Sequence, residues 1–419
     1  MGVTRHILAE RIKAAREACG LTQKELAEHL GLSRPTIAQI EAGNRAVSSL
    51  ELDKIAYILG RDIREFVAAS FEEEDALAAL FRAQPAVAVQ PVVMEKLREC
   101  LAIGRELTNL ERLVGIDRGQ TATASYPLPP SGTRWQAIQQ GERIADEERR
   151  RLDLGNAPLP SLTDLLESQE VRTGIVDLPE DISGLTLSDR KGGLFVVANR
   201  VHHSLRRRFS FAHEYAHVIA DRNRIGIVSR ASERDDFLEV RSNAFAASFL
   251  MPEEGVRHFV AGLGKGRPSR SRTEVFDEAG SLDVEGRTEP GSQSIQLYDL
   301  VQAAHHFGVS RLMALFRLRN LCLLNDAEFN GLKVQDEKGA GREMAKAMGL
   351  DDPDSVEIRN EFRHRFLGLA LEAYRRNAIS RGKLKELVLM VGLSADEIDC
   401  LIENVGLADD PGERPIHPG

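Results

Sequence analysis

Two histidines and a glutamate lie at a spacing that can bind and use a metal ion. His213 and His217 are four residues apart, so on a helix both imidazoles leave the same face and can hold one zinc ion. Glu214 lies beside them, where its carboxylate can accept a proton from a water that the ion activates. The pattern His-Glu-x-x-His therefore predicts the centre of a zinc hydrolase, with two metal ligands and Glu214 as the catalytic base.

A zinc site of this kind needs a third protein ligand, with water in the fourth position. Downstream, apolar residues recur at helical spacing from Phe237, and Pro252 marks the end of the predicted helix. Glu239 lies in the first turn of this helix and is the preferred third ligand. An acidic first turn is also what an ordinary helix N-terminus prefers, so three neighbours compete with it: Glu233, Asp235 and Asp236.

The elements around the motif are predicted to bury it. The apolar run from Leu194 to Ala198 predicts a buried strand, which follows a turn-rich gap after another strand at 171–178. The edge of the strand that contains Phe195 could bind an extended peptide. The ordinary alternative for the motif itself is a buried helix whose two histidines are satisfied by hydrogen bonds.

Two segments around these residues resemble the signature blocks of the ImmA/IrrE metallopeptidases. They read RRFSFAHEYAH and EVRSNAFAASFLMP, and the resemblance covers roughly residues 165–325. It implies a gluzincin-like metallopeptidase domain in which His213, His217 and Glu239 bind Zn2+ and Glu214 is catalytic. Further along, the segment from Ala303 to Arg311 looks like the closing helix-turn-helix segment of the family.

One position departs from the family pattern without weakening the resemblance. Ser242 stands where the family more often has alanine, which is a change between two small residues. Asn243 and the ending Leu250-Met251-Pro252 fit the family. The two matched segments therefore predict the same site as the motif does.

The first 66 residues predict a separate bundle of short helices. Thr22 is a good N-cap, and Glu25 lies three residues later, which completes a capping box. Ser33 caps the next predicted helix, which ends before Gly43. Two short helices joined by a turn that contains Gly31 make a helix-turn-helix.

The segments LTQKELA and IEAGNR within this bundle resemble the XRE, or Cro/repressor-like, DNA-binding family. In that family the second helix of the motif enters the major groove, and paired half-sites favour a homodimer. The implied partner is a DNA operator, and the implied contact residues are Gln23, Ser33, Arg34, Thr36, Gln39, Asn44 and Arg45. Residues 1–64 carry ten basic and eight acidic side chains, hence +2 in a chain of net charge −9. Because this excess is small, a helical adaptor that binds no DNA is the alternative.

The length of 419 residues predicts several domains. The expected fold is multidomain and mainly α with a small α+β core. A helix-turn-helix bundle is predicted at 1–70 and a helical linker region at 71–160. The metallopeptidase domain with a short sheet is predicted at 161–325, and a C-terminal helical domain with a disordered tail at 326–419. The four cysteines form no C-x-x-C pair and are expected to be reduced. A cytoplasmic protein without a membrane segment is expected.

Two further regions carry weaker signals. The polar, Gly/Ser-rich stretch at 264–294 predicts a mobile loop, which could be a lid, a regulatory segment or a self-cleavage site, with a tolerated insertion as the preferred interpretation. Apolar stripes at 361–377, 383–391 and 395–405 predict three helices of a small interaction domain.

The leading hypothesis is a regulatory zinc endopeptidase with its own DNA-binding domain. The resemblance implies a protein substrate, a helix-turn-helix repressor cleaved under stress or induction. Two alternatives stay open at this point. One is a DNA-binding transcription regulator that uses the peptidase fold as a sensor or dimerisation module, and the other is a regulator that cleaves itself.

Overall fold

The computed structural model describes most of the chain. The described residues are 3–59, 61, 63–68, 71, 91–116, 123–189, 193–222, 226–230, 235–266, 270–277, 280–287, 292–350, 361–394 and 397. Within them the fold is mainly helical around one four-stranded sheet, as predicted. No helix in this part of the chain is long and apolar enough to cross a membrane.

The N-terminal bundle contains five helices: α1 (Arg5–Ala18), α2 (Gln23–Leu30), α3 (Arg34–Glu41), α4 (Ser49–Ile58) and α5 (Ile63–Val67). The predicted caps are confirmed. Thr22 and Glu25 form a capping box at the start of α2, and the Ser33 hydroxyl accepts a hydrogen bond from the backbone N–H of Thr36. Gly31 adopts a φ of +67° between α2 and α3, in the left-handed region that glycine tolerates best. Local capping therefore defines the helix-turn-helix geometry.

Three helices follow before the sheet: α6 (Pro91–Leu113), α7 (Arg134–Arg151) and α8 (Leu162–Ser168). The first two lie in the region at 71–160 that was predicted to be helical. Helix α8 begins after Ser161, whose hydroxyl accepts a hydrogen bond from the backbone N–H of Asp164.

The sheet has four strands: β1 (Val171–Val176), β2 (Ile182–Asp189), β3 (Gly193–Asn199) and β4 (Gly226–Arg230). The order is β1-β3-β2-β4, with β1 parallel to β3 and the other pairs antiparallel. Strand β2 fills much of the gap that the sequence analysis read as turns. The strand with Phe195 is interior, so the prediction that its edge binds a peptide is wrong: both sides of β3 already form ladder hydrogen bonds.

Alternate side chains of β3 face two different apolar cores. Val196 and Ala198 pack with the helices that follow the sheet, whereas Phe195 and Val197 share a core with the N-terminal bundle and with Leu97 of α6. This is the period of two that a strand imposes on its side chains. The sheet is thus covered on both faces.

The helices that flank the sheet are α9 (Ser204–Ala220), α10 (Phe237–Leu250) and α11 (Glu253–Gly262). Helix α7 lies directly against α10. A Cβ atom at Gly141 of α7 would stand 2.8 Å from the backbone nitrogen of Phe245, so only glycine permits this approach. Ile144 of α7 belongs to the same buried core as α9 and α10, although α7 lies in the region predicted as a linker.

The predicted loop at 264–294 contains two strands instead. Strands β5 (Arg270–Asp277) and β6 (Gly280–Arg287) form an antiparallel hairpin in continuous register. The sequence analysis predicted only a mobile loop and missed this hairpin, because a ladder of backbone hydrogen bonds does not require apolar side chains.

The C-terminal part has six helices in the described residues: α12 (Leu297–Phe307), α13 (Arg311–Asn320), α14 (Asp326–Glu337), α15 (Ala340–Ala347), α16 (Glu361–Arg375) and α17 (Arg381–Met390). Helices α12 to α15 extend the core of the sheet helices, with Phe329 of α14 buried in it. Helices α16 and α17 pack instead on α6, in a third core that includes Leu110 and Phe366. The third predicted helix, at 395–405, lies outside the described residues.

Candidate metal centre and DNA-binding helix

Three potential metal ligands meet between α9 and α10. The Nε2 atoms of His213 and His217 lie 3.3 Å apart. The carboxylate of Glu239, in the first turn of α10, lies 3.2 Å from Nε2 of His213 and 3.4 Å from Nε2 of His217. All three residues are buried, with 5%, 1% and 6% of their surface exposed. The two helices therefore bring together the three residues that the sequence analysis chose as ligands.

The competing acids in front of α10 have other contacts. Asp236 is the N-cap of the helix and accepts a hydrogen bond from the backbone N–H of Leu238 at 2.8 Å. Asp235 is exposed and pairs with Arg134 at the start of α7. Glu233 lies outside the described residues. Glu239 alone among the described candidates reaches the histidines.

The spacing of these atoms fits a tetrahedral zinc ion. Ligand atoms about 2.1 Å from such an ion lie roughly 3.4 Å from one another, close to the separations found here. Burial lowers the pKa of His217, but hydrogen bonds with Asp221 and Glu239 outweigh it and raise the pKa to about 10. Burial likewise raises the pKa of Glu239, but the two histidines outweigh it and lower the pKa to about 2. The carboxylates thus favour a positive charge between α9 and α10.

The remaining nitrogen of each histidine is also held. Nδ1 of His217 lies 2.9 Å from Oδ2 of Asp221, and Nδ1 of His213 lies 3.0 Å from Oδ1 of Asn243. Partners of this kind fix the ring orientation and leave Nε2 for a metal. The Ser242 hydroxyl is a further neighbour of His217 Nδ1, at 3.3 Å.

Asp221 is itself fixed by a buried arginine. Nη2 of Arg241 donates to both carboxylate oxygens of Asp221, at 2.6 Å and 2.5 Å. The sequence analysis missed both residues. The available signal was the spacing, because Asp221 follows His217 by one helical turn and so lies on the same helix face.

Glu214 is fully buried and points toward β2. The Thr186 hydroxyl donates to its Oε2 at 2.7 Å. A Cβ at Gly184 would lie 2.9 Å from its Oε1, so glycine makes room for this carboxylate. No described residue meets the distance and angle of a hydrogen bond to Oε1, although the Ser229 side chain is close enough to lower the pKa of the carboxylate. A buried carboxylate oxygen that accepts no hydrogen bond from the protein is suited to act as a base that takes a proton from water.

Burial raises the pKa of Glu214 above the ordinary range for glutamate, although His213 and His217 act in the opposite direction. This raised pKa is closer to neutral pH, at which a carboxylate can both accept and release a proton efficiently.

Four polar side chains that lie near the motif in the sequence could serve as oxyanion donors, and all four have structural contacts. Tyr215 donates to Glu148, and Arg208 donates to the Leu159 carbonyl oxygen. His203 caps α9, and His202 lies 3.3 Å from the Glu180 carbonyl oxygen.

The residues predicted to contact DNA fall into two groups. Arg34 and Gln39 are exposed on α3, and Asn44 is exposed just after it. The others have contacts within the bundle. Ser33 and Thr36 share a hydrogen bond at the start of α3.

Two of the residues predicted to contact DNA, Gln23 and Arg45, have acidic partners within the protein. The Gln23 amide donates to Glu41, which is buried and also binds Arg16. Arg45 pairs with Glu51 at 2.7 Å. The structure thus favours Arg34, Gln39 and Asn44 as the accessible part of the predicted set.

Comparison with known proteins agrees with this division of the chain. Residues 12–66 match the family model described as Helix-turn-helix, and residues 171–267 match the model described as IrrE N-terminal-like domain. An uncharacterized HTH-type transcriptional regulator of Methanothermobacter thermautotrophicus is 43% identical over 51 residues, which are 12% of this chain and 74% of that protein. The chain belongs to the helix-turn-helix transcriptional regulators. It is a regulatory protein that joins their DNA-binding domain to an IrrE N-terminal-like domain, as the two resemblances implied.

One solved structure aligns over most of the chain. It is Bacillus thuringiensis PlcR in complex with the peptide PapR7 and DNA, with 10% identity over 97% of this chain and 100% of its own. The TM-score is 0.15, which establishes no common overall fold.

Proposed function

We propose that this regulator is a zinc-dependent endopeptidase that cleaves another protein, a helix-turn-helix transcriptional repressor, in response to stress or induction. The observation that carries the proposal is the convergence of His213, His217 and Glu239 beside Glu214, whose Oε1 accepts no hydrogen bond from the described residues. These four residues supply three ligands and a base, which is the composition of a catalytic zinc site.

Each residue has a role in this proposal. His213, His217 and Glu239 hold the ion, which when bound supplies a Lewis acid that polarises a peptide carbonyl and acidifies water. Glu214 accepts the proton of the attacking water at Oε1 and passes it to the leaving amine nitrogen. Thr186 donates to the other oxygen, Oε2, and so fixes the orientation of the carboxylate.

A substrate backbone could be oriented by the edge of the sheet. In the described part of the sheet β4 pairs only with β2, the strand that contacts Glu214 through Thr186. An extended peptide that adds to β4 would therefore run close to the base. This assigns to β4 the role that the sequence analysis gave to the interior strand.

The DNA-binding domain would bring the enzyme to its substrate. If α3 binds an operator, with a homodimer reading two half-sites, a repressor bound nearby is met at high effective concentration. Cleavage would then be efficient even where the free affinity between the two proteins is weak.

A DNA-binding regulator that uses the metal centre only as a sensor is the second candidate. The burial of the site favours it, since Glu214 is 0% exposed and the three ligands are nearly so. A site used only for shape or sensing has no need of a base, however, and Glu214 is placed and oriented by Thr186 and Gly184.

Glu214→Gln is the test, because it removes the base and keeps the size of the side chain. In cells that carry the wild type, proteomics of new N-termini should find a cleaved helix-turn-helix protein after induction. The variant should bind zinc, abolish that cleavage and leave the target genes repressed. Thr163→Ser, a conservative change in α8 away from the centre, is the control and should behave as wild type.

Two other results would contradict the proposal. Regulation that survives Glu214→Gln would leave the sensor hypothesis in its place. A new N-terminus in this chain itself, with a matching loss of intact mass after zinc addition, would show self-cleavage instead of cleavage of another protein.

A further inference from the structure

A cavity lies away from the metal centre, between the first turn of α9 and helices α12 to α15. Its volume is about 350 Å³. Pockets that bind small molecules commonly begin at about this size. None of the residues assigned to the metal centre lines it, so its function can be tested independently of peptidase activity.

Part of the wall of this cavity is apolar. Side chains from α9, α12, the turn before α13, and α15 contribute to it, namely Leu205, Val301, Val309 and Ala345, together with Leu350. Val301, Val309 and Ala345 are buried. Such a surface favours a ligand with an apolar body, since polar groups would lose their hydration without gaining partners.

The same cavity is rich in positive charge. Three arginines line it, Arg206, Arg311 and Arg342, against the single carboxylate of Asp336, so its net charge is +2 with the histidines neutral. Asp336 is already engaged by Nε of Arg311 at 2.6 Å. Arg206 on α9 and Arg342 on α15 are exposed. The charge therefore favours an anion.

Two helix N-termini add to this field. Helices α9 and α13 both begin at the cavity, and their caps, His203 and Ser310, are part of its wall. The N-terminus of a helix carries a partial positive charge and N–H groups that favour anions. The C-terminus of α12, at His305 and Gly308, also lines the cavity and acts in the opposite direction, so the arginine side chains carry the argument for an anion.

We propose that this cavity binds a small organic anion, a carboxylate, sulfonate or phosphate carried on an apolar body. The apolar groups of Val301, Val309 and Ala345 contact the body, and Arg206 and Arg342 bind the charged group.

Two fluorescent probes with the same aromatic body test the proposal in the full-length protein. 8-Anilinonaphthalene-1-sulfonate carries the anion, and N-phenyl-1-naphthylamine lacks it. We expect one saturable sulfonate site per chain, with at least about tenfold weaker binding of the neutral probe and of inorganic sulfate, the scale of one charge-assisted contact.

Variants locate the site. Arg342→Glu should weaken sulfonate binding by about tenfold or more, and Arg206→Ala should weaken it independently. Lys346→Glu is the matched control, since it makes the same charge change on α15 at an exposed position that does not line the cavity. Binding that is unchanged in both arginine variants, or lost equally in the Lys346 control, would overturn the proposal. Equal affinity for both probes would show apolar adsorption and overturn it as well.

Discussion

The imidazole of His217 lies between two carboxylates, those of Glu239 and Asp221. Its Nε2 is 3.4 Å from Glu239, and its Nδ1 is 2.9 Å from Asp221. Arg241 holds Asp221 from the other side. A carboxylate that accepts the N–H of one ring nitrogen orients the ring so that the other nitrogen can bind a metal, and this relationship leads to the first prediction.

Asp221→Asn should lower zinc affinity by about 10–100-fold, because the uncharged amide holds His217 less firmly and leaves Arg241 without its charge partner. Competition with a chelator of known affinity measures the effect. Asp235→Asn is the control, since Asp235 forms an exposed ion pair with Arg134 and should have little effect. Equal affinities in the two variants would rule out this role of Asp221.

Metal content tests the ligand set. The purified wild-type protein should contain about one zinc per chain, and His213→Ala and Glu239→Ala should lose it, because a three-ligand site rarely survives the loss of one ligand. Glu214→Gln should retain zinc, since Glu214 is proposed as a base and not a ligand. Elemental analysis by mass spectrometry gives the answer. A wild type without metal even after reconstitution, or zinc retained in Glu239→Ala, would contradict the assignment.

Gly141→Ala should destabilise the contact between α7 and α10 by about 1–3 kcal/mol, although alanine is the better helix former. The added Cβ would stand 2.8 Å from the backbone nitrogen of Phe245. Gly331→Ala in α14 is the matched control, because no atom lies within 4 Å of the added Cβ. It should gain roughly 0.5–1 kcal/mol in urea unfolding. If Gly141→Ala stabilised the protein, α7 and α10 would be able to move slightly apart without a cost in packing, and the prediction would be wrong.

Glu148 predicts a pH-dependent contribution to stability. Burial raises its pKa, but hydrogen bonds from Arg151, Tyr215 and Tyr126 outweigh this and hold it below the ordinary value of 4.5. A pKa that is lower in the folded state means that the contribution is present above the unfolded-state pKa and is lost as the pH falls below it.

Glu148→Gln should therefore cost about 2 kcal/mol of unfolding free energy near pH 7. The difference from wild type should shrink as the pH falls below 4.5. Urea unfolding at a series of pH values measures it. Glu147→Gln on the same helix is the control, since Glu147 makes a more exposed pair with Arg143 and should change little. A constant difference across the series would exclude the ionised carboxylate as its source.

The accessible part of α3 predicts separate effects on DNA binding. On the operator selected by the wild type from random DNA, Gln39→Ala should weaken binding by about 1–3 kcal/mol and relax specificity at one base pair. Arg34→Ala, if it contacts phosphate, should weaken all sequences alike and reduce the salt dependence. Gln302→Ala, on α12, is the control. If Gln39→Ala left the sequence selectivity unchanged, Gln39 would not be a residue that contacts the bases.

Much of the local structure was predictable from the sequence, because short-range interactions determine it. Thr22 and Glu25 predicted a capping box, and the four-residue interval between His213 and His217 already places both on one helix face. The two family resemblances were carried by the same kind of local information. These features need no knowledge of distant residues.

The tertiary structure decided what depends on elements far apart in the chain. Four acids were possible third ligands, and only the packing of α10 on α9 brings Glu239 within 3.4 Å of both histidines. The interior position of β3 follows from its ladders with β1 and β2, which no single strand sequence encodes. Thr186 contacts Glu214 across 28 residues, through the pairing of β2. Long-range pairing and side-chain packing create these relationships, and both exist only once the chain has folded.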